Sequence, residues 1–260
     1  MPYVTTSQGR LFYLRRTAAQ PGAPPLLLIH GAGGQGRLWG GTFPYLRGAE
    51  VIAPDLPGHG HSPGPGLRSI EECSAAILEL MDALELPAAA LGGHSMGGAI
   101  ALEAALRAPG RVRGLALLSV TARLFVAPSL LEQLLRDVDA ARRWIVENGY
   151  GAATPQSVRA LGLQQLAEVA PDVLHGDFIA CSTFDRRSRL DAVRCPALVL
   201  CGAEDRLTPL KYVRALQEAL PASRLEVLPG AGHMLPMECP QAVGQAVAQF
   251  LAGLGPGAPA

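Results

Sequence analysis

One heptapeptide constrains this chain more than any other stretch. Ala88–Leu91 is a fully apolar run of strand length, and Gly92-Gly93-His94-Ser95-Met96-Gly97-Gly98 follows it directly. A helical pattern then runs from Met96 to Arg107 and stops at Pro109-Gly110. A serine with glycines two residues to either side, between a buried strand and a helix, describes a bend too tight for side chains at the flanking positions. Such a bend belongs at the carboxyl edge of a parallel sheet.

The rest of the chain supplies that sheet. Tyr3–Thr6 and Leu11–Arg16 read as a hairpin turning near Gln8-Gly9. Pro25–Ile29, Glu50–Ala53, Val112–Val120, Ala197–Cys201 and Arg224–Leu228 are further strand-like runs. Ile70, Cys73, Ile77, Leu80, Met81 and Leu84 recur at helical steps and predict a helix that Pro87 stops. Leu210–Leu220 and Pro240–Leu251 predict two more helices. Strands alternating with helices imply an α/β fold, a mostly parallel eight-stranded sheet with helices on both faces. The interval 125–191 breaks this rhythm, with helical patterns at Leu130–Val146 and Pro155–Val169 and no clear strand. It is expected to be a helical cap inserted over the sheet's carboxyl edge, leaving 1–124 and 192–260 as the core. The Gly/Pro/Ala tail Gly253–Ala260 is expected to fray.

A serine hydroxyl is a weak nucleophile at neutral pH and needs a base beside it. Of the six histidines, His30, His59, His61 and His94 precede the bend or lie within it, and His175 falls in the inserted interval. His233 follows the last strand in the Gly-rich loop Pro229–Met234, from which an imidazole can reach back over the sheet edge. The order serine, acid, histidine selects it as well. The orienting acid belongs between them at a strand end, where Glu204 and Asp205 compete one residue apart. A developing oxyanion needs two N–H donors: Met96, directly after the serine, and Ala32, in the glycine-rich loop after the third strand. No Gly-Lys-Ser/Thr follows the glycines of that loop, which argues against a phosphate cradle.

His30-Gly31, Asp55-Leu56-Pro57-Gly58-His59-Gly60-His61-Ser62, Gly93–Gly98, Gly202-Ala203-Glu204-Asp205 and Gly230-Ala231-Gly232-His233 together resemble the α/β-hydrolase family. Within it the chain is similar to the small branch of esterases, lactonases and carbon–carbon bond hydrolases. The resemblance implies the α/β-hydrolase fold, Ser95 as nucleophile, His233 as base and Asp205, just ahead of a short turn closing in Pro209, as the acid. It also implies that Asp55 and Ser62 pin a loop, that His59 is a loop residue, and that His94 packs beneath the triad. Ser95 rather than an aspartate sets the chain apart from the dehalogenases and epoxide hydrolases of this fold. His94 stands where carbon–carbon hydrolases usually carry asparagine. The activity expected is cleavage of carboxylic esters of small to medium uncharged substrates through an acyl-enzyme. A lactonase, thioesterase or carbon–carbon hydrolase would use the same triad, and a small-ligand receptor would keep the fold with negligible turnover.

Composition narrows the partners. Formal net charge is zero and 49% of residues are apolar, with no basic stripe for nucleic acid. No cluster of His, Cys and acid has ligand spacing, so no metal or organic cofactor is expected. Cys73, Cys181, Cys195, Cys201 and Cys239 are scattered and read as free thiols. The first residues lack a charged leader segment, and no apolar run nears the ~20 residues of a membrane span. The expectation is a cytoplasmic monomer or homodimer acting on a small-molecule ester, without a membrane partner. Phe125, Trp144, Phe178 and Phe184, with Leu207 and Met234, are the expected pocket lining, and Arg123 and Arg142 are expected to face solvent.

Overall fold

The computed structural model describes residues 2–18 and 23–255. The expected tail therefore lies outside the described residues from position 256 onward. Eight strands form one sheet: β1 (Tyr3–Thr6), β2 (Gly9–Arg16), β3 (Leu26–Ile29), β4 (Val51–Pro54), β5 (Ala89–His94), β6 (Val112–Leu118), β7 (Ala197–Gly202) and β8 (Ser223–Leu228). Their spatial order is β1-β2-β4-β3-β5-β6-β7-β8. β1 and β2 join antiparallel, and every pairing from β4 onward is parallel. β3, β4, β5 and β7 are buried along their whole length, which is why they read as continuous apolar runs.

Side-chain alternation then splits those runs between two helical layers. Leu27 and Ile29 point to the layer of α1 (Ile70–Ala83), α2 (Met96–Arg107) and, beyond the insertion, the helix Leu210–Ala219. Leu26 and Leu28 point to the other layer, where Trp39 and Leu46 pack with Val243, Val247 and Phe250 of the last helix. Between β6 and β7 the chain leaves the sheet for four helices: α3 (Pro128–Arg136), α4 (Val138–Gly149), α5 (Gln156–Ala167) and α6 (Pro171–Thr183). They share an apolar cluster of their own, with Leu130, Leu134, Ala141, Val173 and Leu174. After β7 come α7 (Leu210–Ala219), the short α8 (Leu235–Glu238) and α9 (Pro240–Gly253). No helix among the described residues is long and apolar enough to cross a membrane.

Two boundaries differ from expectation for local reasons. The pattern over Leu130–Val146 is two helices, because Asp137 leaves helical geometry and its carboxylate caps α4 by accepting from Ala140 N–H at 2.9 Å. Pro87 does not stop α1. The helix ends four residues earlier, where Glu85 takes a left-handed φ of 55° and Leu86 N–H returns to Met81 O at 2.9 Å. With Glu85 N–H on Asp82 O this is a Schellman closure, carried by a residue other than the usual glycine.

Candidate functional site

The bend between β5 and α2 holds Ser95 at φ 53° and ψ −116°. A side chain pays about 1–3 kcal/mol for such backbone, so the surroundings must enforce it. They do so through close approach: a Cβ on Gly93 would overlap the Gly97 carbonyl, and one on Gly97 would overlap the Ile29 carbonyl. Ser95 N–H bonds across to Leu118 O at 2.8 Å, and Ser95 O accepts the Gly98 and Ala99 N–H groups. The next N–H, of Met96, is the first of α2 and donates to no protein acceptor among the described residues. Ala32 N–H, beyond the end of β3, is equally unpaired. Helix N-termini favour negative charge, so Met96 contributes direction as well as a donor.

Opposite Ser95, the loop after β8 carries His233, and the loop after β7 carries Asp205. Asp205 Oδ1 and Oδ2 lie 3.1 and 3.0 Å from His233 Nδ1. The same carboxylate accepts Leu207 N–H at 3.0 Å, Thr208 N–H at 2.8 Å and the Thr208 hydroxyl at 2.6 Å. Burial alone would raise its pKa. The His233 ring and these hydrogen bonds outweigh burial and hold it at about 2. An ionised Asp205 fixes the proton on Nδ1 and leaves Nε2 with its lone pair. Glu204, the rival, is exposed and accepts Ala152 N–H at 2.6 Å instead. His94 sits under this arrangement. Its ring lies 4.9 Å from that of His233, and Nε2 donates to His233 O at 2.9 Å. Burial lowers its pKa to about 3, so it stays neutral.

Ser95, His94, His233 and Ala32 all open on one cavity of about 380 Å³ between the sheet edge and the cap. Leu130, Ile145, Leu166 and Phe178 line it from the cap side. Among the expected lining residues, Phe125, Trp144, Phe178, Leu207 and Met234 are there, although Phe125 is 75% exposed and Trp144 40%, which places both at the rim. Met96 is not part of the wall, and its side chain is fully buried. Phe184 is a correction. It ends α6, where Leu124 N–H bonds its carbonyl, and its ring is buried in the core under the Arg186 guanidinium, 5.2 Å away. Arg142 is also a correction: it is buried, donating to Val169 O and Asp139 rather than facing solvent. Arg123 is exposed. The cation on the cavity wall is Arg206, which the sequence reading did not single out.

Two further residues escaped the sequence reading. Tyr150, between α4 and α5, lines the cavity with its hydroxyl on Met237 Sδ at 3.1 Å. Glu238 in α8 holds the histidine loop: its carboxylate accepts Gly232 N–H at 3.0 Å and Met234 N–H at 3.0 Å, on either side of His233. It also accepts Gly151 N–H at 2.8 Å and the Thr154 hydroxyl at 2.6 Å, tying that loop to the cap. An amide there would turn one donor toward N–H groups. Glu238→Gln is therefore expected to lower kcat roughly tenfold to a hundredfold with little change in KM, by misplacing His233. Steady-state rates normalised to titrated sites would show it, and an unchanged kcat would mean that the loop keeps its place without the carboxylate. The signal available in the sequence was only an acid five residues beyond a glycine-flanked histidine.

Among the described residues no group of three or more His, Cys, Asp or Glu is placed to hold a metal ion. The Asp55–Ser62 segment is tightly pinned: Asp55 accepts Gly36 N–H at 2.6 Å and His61 N–H at 2.8 Å, and Ser62 Oγ donates to Asp55 O at 2.7 Å.

Comparison with known proteins identifies the family. Residues 26–246 match the model of the alpha/beta hydrolase family. The chain is 36% identical over 250 residues to the dihydrolipoyllysine-residue acetyltransferase component of an acetoin cleaving system from Pseudomonas putida. That match covers 88% of this chain and 64% of the relative, so the chain spans less than two thirds of that protein's length. It is 32% identical to a pimeloyl-[acyl-carrier protein] methyl ester esterase from Aromatoleum aromaticum, over 81% of this chain and 91% of the relative. The enol-lactonase of Burkholderia xenovorans superposes with a TM-score of 0.88 at 25% identity, covering 96% of this chain and 99% of that one. A family match over residues 26–246, with close superposition on an enol-lactonase, leaves one conclusion: the chain belongs to the alpha/beta hydrolase family, in its esterase- and lactonase-like branch.

Proposed function

We propose that this protein is a serine esterase that hydrolyses uncharged carboxylic esters through an acyl-enzyme. One observation carries the reading: Ser95 on its strained bend, an Asp205-bound His233 and the unpaired N–H of Ala32 all meet at one largely apolar cavity. In this reading Ser95 Oγ attacks the acyl carbon as His233 Nε2 takes its proton. The tetrahedral oxyanion accepts from Met96 and Ala32 N–H groups that need no reorganisation. His233 passes its proton to the departing alcohol, takes one from a water that attacks the acyl carbon, and returns it to Ser95 Oγ as the acid leaves. Ser95 Oγ makes no hydrogen bond among the described residues, and catalytic hydrogen bonds are often long before substrate binds. A lactone is a cyclic ester and asks for the same steps. The likeness to the enol-lactonase favours it as the second reading.

The cavity wall also favours a substrate class. Each methylene buried there contributes about 0.8 kcal/mol, so kcat/KM should climb roughly fourfold per carbon until the space is full. A carboxylate buried against the cap-side leucines and Phe178 would lose water that those apolar side chains do not replace. Aryl esters of short to medium acyl chains are thus expected to outrun a carboxylate-bearing analogue, a carbon–carbon cleavage substrate and long-chain triglycerides. An acyl-length series measured beside those three compounds tests it. A preference for the charged or carbon–carbon substrate would overturn the esterase assignment, and tight binding without turnover would favour a receptor.

A further inference from the structure

Asp177 lies on α6 in the cap, 144 residues from the loop that carries Ala32, yet its Oδ2 accepts Gly33 N–H at 2.7 Å. The same oxygen lies 2.9 Å from His59 Nε2, and the two side chains are only 1% and 2% exposed. His59 Nδ1 faces Pro57 O at 3.0 Å. Each ring nitrogen thus meets an oxygen that can only accept. Beside a carboxylate at Asp177 a neutral imidazole would set a lone pair against one of them, so the geometry favours a protonated His59 with Asp177 as its counterion. Burial alone would lower the His59 pKa. The Asp177 charge and hydrogen bond, with Asp55 adding to them, raise it instead. The adjacent ring of His30, 4.8 Å away, stays neutral with its pKa lowered to about 3 by burial, and it donates to Gly31 O in the same loop.

Gly33 itself is wedged under the cap. It has φ 66°, and a Cβ there would meet Leu166 of α5 at 2.6 Å and Leu174 of α6 at 2.7 Å. Glu168, after α5, takes a second hold on this loop through Arg37 and Gln35. The residue beside Gly33 is Ala32, whose N–H has no protein acceptor among the described residues.

We propose that Asp177 is a positioning residue for catalysis: held by the buried His59 cation, it fixes from the cap the backbone that presents the Ala32 N–H to the oxyanion. This rests on the esterase reading above. Seating of the cap and completion of the oxyanion hole are then one event, since a single carboxylate oxygen serves both. Removing a donor from such a hole commonly costs about 10²–10³ in kcat. Loosening a donor's support should cost about tenfold to a hundredfold.

Breaking one partner of a buried pair can unfold a protein, so the test replaces both. The double substitution His59→Leu with Asp177→Leu removes both charges and the acceptor for Gly33 N–H. His59→Gln with Asp177→Asn removes the charges but keeps an amide oxygen for Gly33 and a nitrogen to donate to it. Two measurements are made on each folded protein: kcat and KM per phosphonate-titrated site, and exchange of the 31–36 backbone amides by hydrogen–deuterium mass spectrometry. The expected result is a leucine pair with kcat down tenfold to a hundredfold, KM nearly unchanged and protection of the 31–36 segment lost. The amide pair should recover most of kcat and of the protection. Equal kcat per site in the two variants, or undiminished protection in the leucine pair, would overturn the positioning role. Wild-type protein that takes no phosphonate at Ser95 would instead refute the esterase reading, while the amide exchange would still report on the Asp177–Gly33 bond.

Discussion

Ser95→Ala is expected to lower kcat about 10⁶-fold, because nucleophile and base act as a unit and the loss of either disables the whole. Structure should survive the change. The Ser95 hydroxyl makes no hydrogen bond among the described residues, and the bend is enforced by the backbone contacts of Gly93 and Gly97 rather than by the side chain. Alanine at φ 53° carries the same strain as serine, so thermal stability should change little. An organophosphonate should label Ser95 alone, at one adduct per chain, and the variant should take none. Mass spectrometry that places the adduct on another residue would sink the assignment. Residual activity within a hundredfold of wild type would do so too.

Asp205→Asn should cost roughly 10⁴ in kcat. The asparagine can still accept the Leu207 and Thr208 N–H groups through its oxygen, so the loop should hold. Its NH₂ then faces His233 Nδ1 and favours the tautomer that leaves a proton, not a lone pair, on Nε2. Glu204→Gln removes only the charge from an exposed acceptor of Ala152 N–H and should leave kcat within about twofold. The reverse outcome, a mild Asp205→Asn and a damaging Glu204→Gln, would mean that the neighbour is the working acid. Stability adds a separate readout. The Asp205 pKa is depressed in the folded protein, so its contribution is present above the unfolded value of about 3.9 and lost as pH falls toward about 2. Wild type should therefore lose stability between those limits, and Asp205→Asn should show a shallower decline there.

What could be read from the sequence and what could not divide by sequence distance. Most of the bend at Ser95 is specified within seven residues, because a side chain on Gly93 would collide with Gly97, while Gly97 itself is required by the Ile29 carbonyl at the end of β3. Four of the eight strands announce themselves through burial. A strand covered on both faces is apolar throughout, and β3, β4, β5 and β7 show that pattern. Chain order alone sets Asp205 and His233 at strand ends, and parallel pairing of β5, β6, β7 and β8 brings those ends to one edge. The choice between Asp205 and Glu204 needed three dimensions. Both sit on one turn, and only the direction in which each carboxylate leaves the backbone brings Asp205, not Glu204, to His233.

The cap was the least legible part. Periodicity anticipated helical stretches over Leu130–Val146 and Pro155–Val169 but not α6, Phe184 faces the core, Arg142 is buried, and beyond the cap Arg206 reaches the cavity wall. An aromatic or a long cationic side chain can satisfy itself in several ways, and only the relative seating of α3 to α6 selects one. Asp177 is the plainest case. It falls among Val173, Leu174, Ala180 and Cys181 on the buried face of α6, where a charge is costly unless something distant answers it. That answer is His59, 118 residues earlier, on a loop of the core. The strands, the bend at the sheet's carboxyl edge and the order in which serine, acid and histidine reach that edge are written along the chain. These follow from chain order, burial and steric contact, most of it among residues close along the chain. Tertiary structure alone decided which charges are buried, what pairs with them and how the cap closes on the loop. Those outcomes depend on desolvation balanced between groups that meet only once the chain has folded.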